Sequence, residues 1–178
     1  MVGCLAEGNW EQYICALPPL GDLPPSTRMT HDITTELPAV NPAFFPTALM
    51  HAIGFDAVLH TDPCGTAIVR YVARTEHAHS DGRIVQGGFI TSWLDHSMAV
   101  AVRTREAGSA LASLDINVSF LERVAPGPVI VEARVVRWGG RIAFLQAELR
   151  ADAGPDSPLL ARATSTGMVL RKANVSPL

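Results

Sequence analysis

Residues Gly87–Val102 read Gly-Gly-Phe-Ile-Thr-Ser-Trp-Leu-Asp-His-Ser-Met-Ala-Val-Ala-Val. Apolar side chains at Phe89, Ile90, Trp93, Leu94, Met98, Val100 and Val102 run nearly all the way round a helical wheel. A helix of this kind is buried, wrapped by a sheet or by a partner. The spacing predicts a helix from Gly87 to about Arg103, and Asp95 interrupts it. Aspartate is a poor helix-interior residue, and a carboxylate taken out of water costs free energy unless it is paired. Asp95 is therefore either a structural carboxylate held by an arginine or a backbone group, or a working one. A local rule broken at a single position points towards function.

The start of the helix carries the second signal. Gly87 and Gly88 have no side chains, so a ligand can approach the N–H groups of the first turn. Those groups carry the positive end of the helix dipole and suit an oxyanion developing on a carbonyl. Tight packing of the helix start on a strand is the other use of two glycines. Gly87 and Asp95 stand eight residues apart, which is about 12 Å along a helix axis. One carbonyl cannot touch both within one helix, so joint action requires two chains with their helices side by side.

Around this helix the chain is rich in strands. Asp56–His60 and Thr66–Ala73 flank the turn signal Asp62-Pro63-Cys64-Gly65. Residues 75–86 read as a loop. Leu111–Leu121 alternates, with Ala112, Leu114, Ile116, Val118 and Phe120 on one face and Ser113, Asp115, Asn117 and Ser119 on the other. Val129–Trp138 and Arg141–Ala151 are joined by Gly139-Gly140, read as a two-residue hairpin turn. A turn at Gly154–Pro158 leads to a last strand, Leu159–Leu170. Phe45, Leu49 and Ile53 give helical spacing over Phe44–Ile53. Antiparallel strands beside one buried helix make an α+β layer pair. Prolines punctuate residues 1–42, so the reading is an N-terminal extension (1–42), one domain (43–171) and a short tail (172–178).

Composition narrows the function. Of the 178 residues 48% are hydrophobic and 17% charged, an apolar excess that asks for a buried interface between copies. The net charge of -3, without a basic block, argues against nucleic acid. Lys172 is the lone lysine, so almost every cation is arginine, the residue suited to phosphate and carboxylate. Cys4, Cys15 and Cys64 form no C-x-x-C pair, which predicts neither a disulfide framework nor a zinc site and suits a reducing cytoplasm. No apolar run reaches the roughly 20 residues of a membrane span.

The remaining candidates are weaker. His77 and His79 have the spacing of two ligands on one strand face, but no third ligand joins them. His79 is read as lining the entrance to the site. His96 follows Asp95, yet neighbours in sequence do not face each other on a helix, so it is expected at an interface or in a polar contact. Ser92 and Ser97 lack the G-x-S-x-G setting of a nucleophilic serine. Trp93, Phe89 and Phe44 are candidates for shaping a pocket.

The stretch His79-Ser-Asp-Gly-Arg-Ile-Val-Gln-Gly-Gly-Phe-Ile-Thr-Ser-Trp-Leu-Asp95 resembles the signature of the PaaI-like, phenylacetate-pathway group of hot-dog thioesterases. Their pattern is His-Gly-Gly, six residues, then an acidic residue. Gln86-Gly87-Gly88 and Asp95 keep that spacing, Ser113–Leu121 resembles the family's next strand, and Arg137-Trp-Gly-Gly-Arg141 its hairpin. The likeness spans residues 43–171. It implies a hot-dog fold, an antiparallel sheet wrapped around a long central helix, and hydrolysis of acyl-CoA thioesters without a cofactor beyond the coenzyme A of the substrate. It implies a homodimer or a dimer of dimers. Asp95 would be the nucleophile or general base, with Gly87 N–H of the other subunit polarising the carbonyl and Ser113 placing water or Asp95. Gln86 would share the catalytic set, while His79, Ser80, Gly88, Arg137 and Arg141 would meet the substrate, the arginines at its phosphates. Two positions depart from the family: Gln86 stands for its histidine and Ser80 for its asparagine or glutamine. A non-catalytic acyl-CoA-binding hot-dog protein and a hot-dog dehydratase using His79 with Asp95 are the alternatives.

Overall fold

The computed structural model describes residues 47–151 and 157–171. A short helix α1 (Thr47–Ala52) leads into strands β1 (Phe55–Asp62) and β2 (Thr66–Ala73). A 3-10 turn (Thr75–His77) and a small ladder of β3 (Ala78–His79) with β4 (Ile84–Val85) occupy the region expected to be a loop. Helix α2 (Gly87–Arg105) follows, then β5 (Ala110–Phe120), β6 (Gly127–Trp138), β7 (Ile142–Ala151) and β8 (Leu159–Leu170). The long helix and the strands at Thr66–Ala73 and Leu159–Leu170 fall where the sequence places them. Phe44, Phe45, the 1–42 extension, the tail after Arg171 and most of the 154–158 turn lie outside the described residues.

Six strands form one antiparallel sheet in the order β1-β2-β6-β7-β8-β5, and α2 crosses one face of it, touching every strand. Strand alternation puts Val69, Tyr71, Val131, Leu145, Leu149 and Ala163 on that face, all buried. Trp93, Leu94 and Met98 of α2 pack into them and are themselves fully buried. The helix is not apolar all round, however. Gly88, Ser92, Asp95 and Ala99 recur at helical spacing on the side away from the core, and they remain exposed or half-exposed. The strip is small or polar and free of large side chains.

Two other expectations change, and a third is narrowed. The β6–β7 connection is one residue longer than a two-residue turn: residues 139–141 link the strands, and Gly139 N–H donates to Ile142 O at 2.8 Å. Trp93 is not available to a pocket, because it is wholly buried with its indole N–H donating to Ile53 O at 2.6 Å. Of the two places expected for His96, an interface and a polar contact, the structure gives the polar contact, inside the core. Its Nδ1 lies 2.6 Å from the Tyr71 hydroxyl, which is also within 2.8 Å of Ser97 Oγ. Tyr71 stacks on Trp93 with ring centroids 5.8 Å apart. This polar knot fixes the rotation of α2 over the sheet, because the hydroxyl has buried partners only in that orientation.

Burial, assisted by the nearby Arg103 charge, pushes the His96 pKa down to about 4, and burial likewise lowers that of His77. The folded chain therefore binds fewer protons than the unfolded one below the ordinary histidine pKa. Stability should be complete above pH 6.5 and should fall as the pH drops towards 4, by about 3 kcal/mol for His96 alone. Denaturant unfolding measured across that range should show this loss, and His96→Gln should show a shallower one.

Candidate active site

Asp95 is half-buried on the open strip of α2, and its Oδ1 accepts a hydrogen bond from the Ser113 hydroxyl at 2.6 Å. Perfect alternation along β5 would have turned Ser113 away from the helix. A β-bulge reverses this. The pairing of β5 with β8 steps from Ser113 opposite Gly167 to Asp115 opposite Thr166, which leaves Leu114 as the extra residue. Ladder partners share a face, so Leu111, Ser113, Ile116, Val118 and Phe120 look towards α2 with Gly167, Ser165, Ala163 and Ala161. Leu114 is left 58% exposed. Gly167 leaves room for Leu111 here, because a Cβ would lie 2.3 Å from Leu111 Cδ1 and would make that side chain shift.

The first turn of α2 has three accessible donors, and two are already engaged. Gln86 is the N-cap, with extended backbone (φ -68°, ψ 135°). Its Oε1 accepts from Gly88 N–H at 2.6 Å, and its carbonyl accepts from Phe89 N–H at 3.0 Å. Gly87 N–H has no acceptor among the described residues. Gln86 thus works as an acceptor towards the helix, a task the family's histidine position did not suggest. Gly88 is exposed, but its N–H is engaged by that cap.

The helix start is held in place by His77, which the sequence suggested only as half of a metal pair. His77 is buried; its Nε2 lies 3.0 Å from Ala52 O and its Nδ1 accepts from Arg74 N–H at 3.1 Å. Its ring stacks on Phe89 at 4.4 Å, and its carbonyl accepts Gln86 N–H at 2.9 Å. Gly54 is a necessary neighbour: at φ +66° a Cβ there would sit 2.3 Å from Val72 O and 3.0 Å from the His77 ring. His77 and His79 therefore do not share a face. His79 is exposed, with Nδ1 2.8 Å from Ser80 Oγ. Ser80, Asp81 and Gly82 all have positive φ (55°, 58° and 75°) and turn β3 back into β4. Among the described residues neither His79 nor Ser80 bonds to Asp95, Ser113 or Gly87, and no three His, Cys, Asp or Glu side chains gather in a metal-binding group.

Arg137 and Arg141 are also apart from Asp95 within one chain. Arg137 pairs with the outward-facing Phe144, on the side of the sheet opposite α2. Arg141 is exposed beside Met168, its Nη2 3.9 Å from the sulfur. Neither has a carboxylate within ion-pair distance among the described residues. Between them Trp138 turns inward, under the guanidinium groups of Arg105 and Arg171 at 5.3 and 5.9 Å. One chain therefore brings together Asp95 with Ser113 and Gln86 with Gly87 and Gly88, but it leaves the two clusters at separate places on α2.

Residues 82–157, which hold both clusters, match the family model described as the thioesterase superfamily. A protein of Saccharolobus solfataricus designated an esterase is 32% identical over 93 residues, 52% of this chain and 60% of that protein. The match thus spans less than two thirds of that relative's length. The crystal structure of a Ralstonia eutropha protein, described as a thioesterase related to phenylacetic acid degradation, is 30% identical. It superposes with a TM-score of 0.61 over 68% of this chain and 89% of that one. A mutant form of the phenylacetic acid degradation protein PaaI from Thermus thermophilus is 26% identical, with a TM-score of 0.58 over 68% of this chain and 97% of its own. The shared fold is the hot-dog fold: one antiparallel sheet with a single long helix packed against it.

The Gln86 cap makes a prediction that needs no substrate. Gln86→Ala removes the acceptor for Gly88 N–H and should lower stability by about 1 kcal/mol, whereas Gln86→Glu, which keeps an acceptor at the positive end of the helix, should retain most of it. Chemical denaturation of the three proteins checks this.

Proposed function

Because this chain belongs to the thioesterase superfamily, in its PaaI-like branch, we propose that it hydrolyses acyl-CoA thioesters to the free acid and coenzyme A, at a site shared between two copies. The observation that carries this reading is the 2.6 Å hydrogen bond from Ser113 to Asp95. It holds a half-exposed carboxylate on the open strip of the same helix whose Gly87 N–H lacks an acceptor among the described residues.

In this reading Ser113 occupies Asp95 Oδ1 and leaves Oδ2 for water. Asp95 takes a proton from that water as general base, and the hydroxide attacks the thioester carbonyl. Gly87 N–H of the other subunit stabilises the oxyanion. Collapse of the tetrahedral intermediate breaks the C–S bond, and the thiolate of coenzyme A receives the proton from Asp95. Gln86 fixes the first turn through Gly88, so that Gly87 N–H remains aimed outward. Arg137 and Arg141 are exposed cations for the phosphates of coenzyme A. His79 and Ser80 line the approach on the turn ahead of the helix.

A second copy is part of the proposal. Among the described residues strand β5 pairs with β8 alone, which leaves its other edge open there, and it carries the exposed Leu114. Pairing of two such edges would bring the small strips of the two α2 helices together. Small side chains at Gly88, Ser92 and Ala99 allow a close approach, and Asp95 then faces the partner's helix start. This is the dimer, alone or within a dimer of dimers, that joint action of Gly87 and Asp95 on one carbonyl calls for.

Thiol release from a panel of acyl-CoAs tests the proposal. The wild-type protein should hydrolyse at least one of them. Asp95→Asn should lower kcat by about a hundredfold or more, and Ser113→Ala by roughly tenfold. A rate unaffected by Asp95→Asn would overturn the assignment.

A further inference from the structure

Phe120 is the last residue of β5, and its ladder partner Ala161 places it on the helix side of the sheet. It nevertheless remains 54% exposed. Its ring leans on the start of α2: a Cβ built on Gly87 would lie 3.1 Å from Cζ and 3.3 Å from Cε1 of Phe120. An uncovered aromatic ring thus stands against the residue whose N–H has no acceptor among the described residues.

We infer that Phe120 forms the wall of the acyl subsite and makes the enzyme favour thioesters of extended apolar acids over acetyl thioesters. The inference rests on the thioesterase reading of Gly87 and Asp95. A carbonyl oxygen bound by Gly87 N–H holds its carbon one bond further out, within reach of the ring. That carbon bears two substituents. The thiol side continues into the amide-rich arm of coenzyme A, which keeps its polar groups solvated, while the acyl side is hydrocarbon and gains by leaving water for the ring face. Each methylene that reaches the ring is worth roughly fourfold in binding. An acetyl group has one carbon beyond the carbonyl and gains least. Gly87 belongs to the same arrangement, since a side chain there would occupy the space between ring and donor. The sequence pattern marked Phe120 only as one of the alternating apolar residues of β5. Its significance comes from the contact with Gly87, which lies 33 positions away in sequence and has no local signature.

The test compares kcat/KM for acetyl-, hexanoyl- and decanoyl-coenzyme A in the full-length wild type, Phe120→Ala, Phe120→Leu and Asp95→Asn, with the mass in solution measured for each. The inference predicts that wild type favours decanoyl over acetyl, that Phe120→Ala cuts this ratio about tenfold, and that Phe120→Leu falls between them, all at unchanged mass. It is overturned if either Phe120 variant keeps the ratio within about twofold of wild type, whatever the absolute rate. It is also overturned if the variants lose their self-association, since a second copy then covers the ring. A loss of activity in Asp95→Asn beside an unchanged ratio in Phe120→Ala would remove the acyl wall alone. Absence of thiol release by wild type would remove the thioesterase reading with it.

Discussion

Eight residues of continuous helix separate the open Gly87 N–H from the Asp95 carboxylate, and the rise of an α-helix sets that separation at about 12 Å. Nothing short of breaking α2 can shorten it. The helix is pinned along its length by apolar side chains packed against all six strands of the sheet, so breaking it would cost a large part of the core. The two groups can meet one substrate only if two helices lie alongside each other. The edge of β5 that is open among the described residues and the strip of small residues on α2 are the features that would allow this approach.

The orientation of α2 is settled by buried polar contacts as much as by hydrocarbon. Tyr71 reaches His96 and Ser97, Trp93 reaches Ile53, and His77 ties the end of α1 to the turn before the helix. Each contact satisfies a group that would be costly to bury alone, and those of Tyr71 and Trp93 exist at only one rotation of the helix. They set the face on which Asp95 emerges. The bulge at Leu114 completes the arrangement from the sheet side, because it turns Ser113 onto that same face. The carboxylate is thus held by one hydroxyl on an edge strand, at the margin of the core rather than inside it.

Much of this was legible in the sequence, for physical reasons. The apolar run from Phe89 to Val102 and the valine-rich strands bracketed by turn residues are strong signals, and they specify a sheet packed on one long helix. Gly87, Gly88 and Asp95 stood out because each breaks the local preference of its surroundings. Other features left no such mark. The bulge at Leu114 needs no special residue at its own position; the accommodating glycine, Gly167, lies on the neighbouring strand. Alternation alone therefore assigned Ser113 to the wrong face, although the resemblance to known thioesterases assigned it the right neighbour. His77 resembled a ligand because spacing cannot distinguish an exposed pair from one buried ring and one surface ring. Gln86 stood out as a departure from a family pattern, but its use as a helix cap depends on its side chain folding back onto Gly88 N–H, which has no sequence signature.

The proposed shared site can be examined directly with two variants. Gly87 is the first residue of α2, and Gln86 before it is extended, so the backbone accepts proline at position 87, which removes the N–H and requires the Phe120 ring, 3.1 Å from an added Cβ, to shift slightly. Gly87→Pro and Asp95→Asn should each be inactive as purified. Co-refolded in equal amounts, they should recover about a quarter of the wild-type rate of thiol release, because half of the dimers pair unlike chains and each of those holds one intact site. A mixture as inactive as its components would contradict the shared site and place both groups' roles within a single chain.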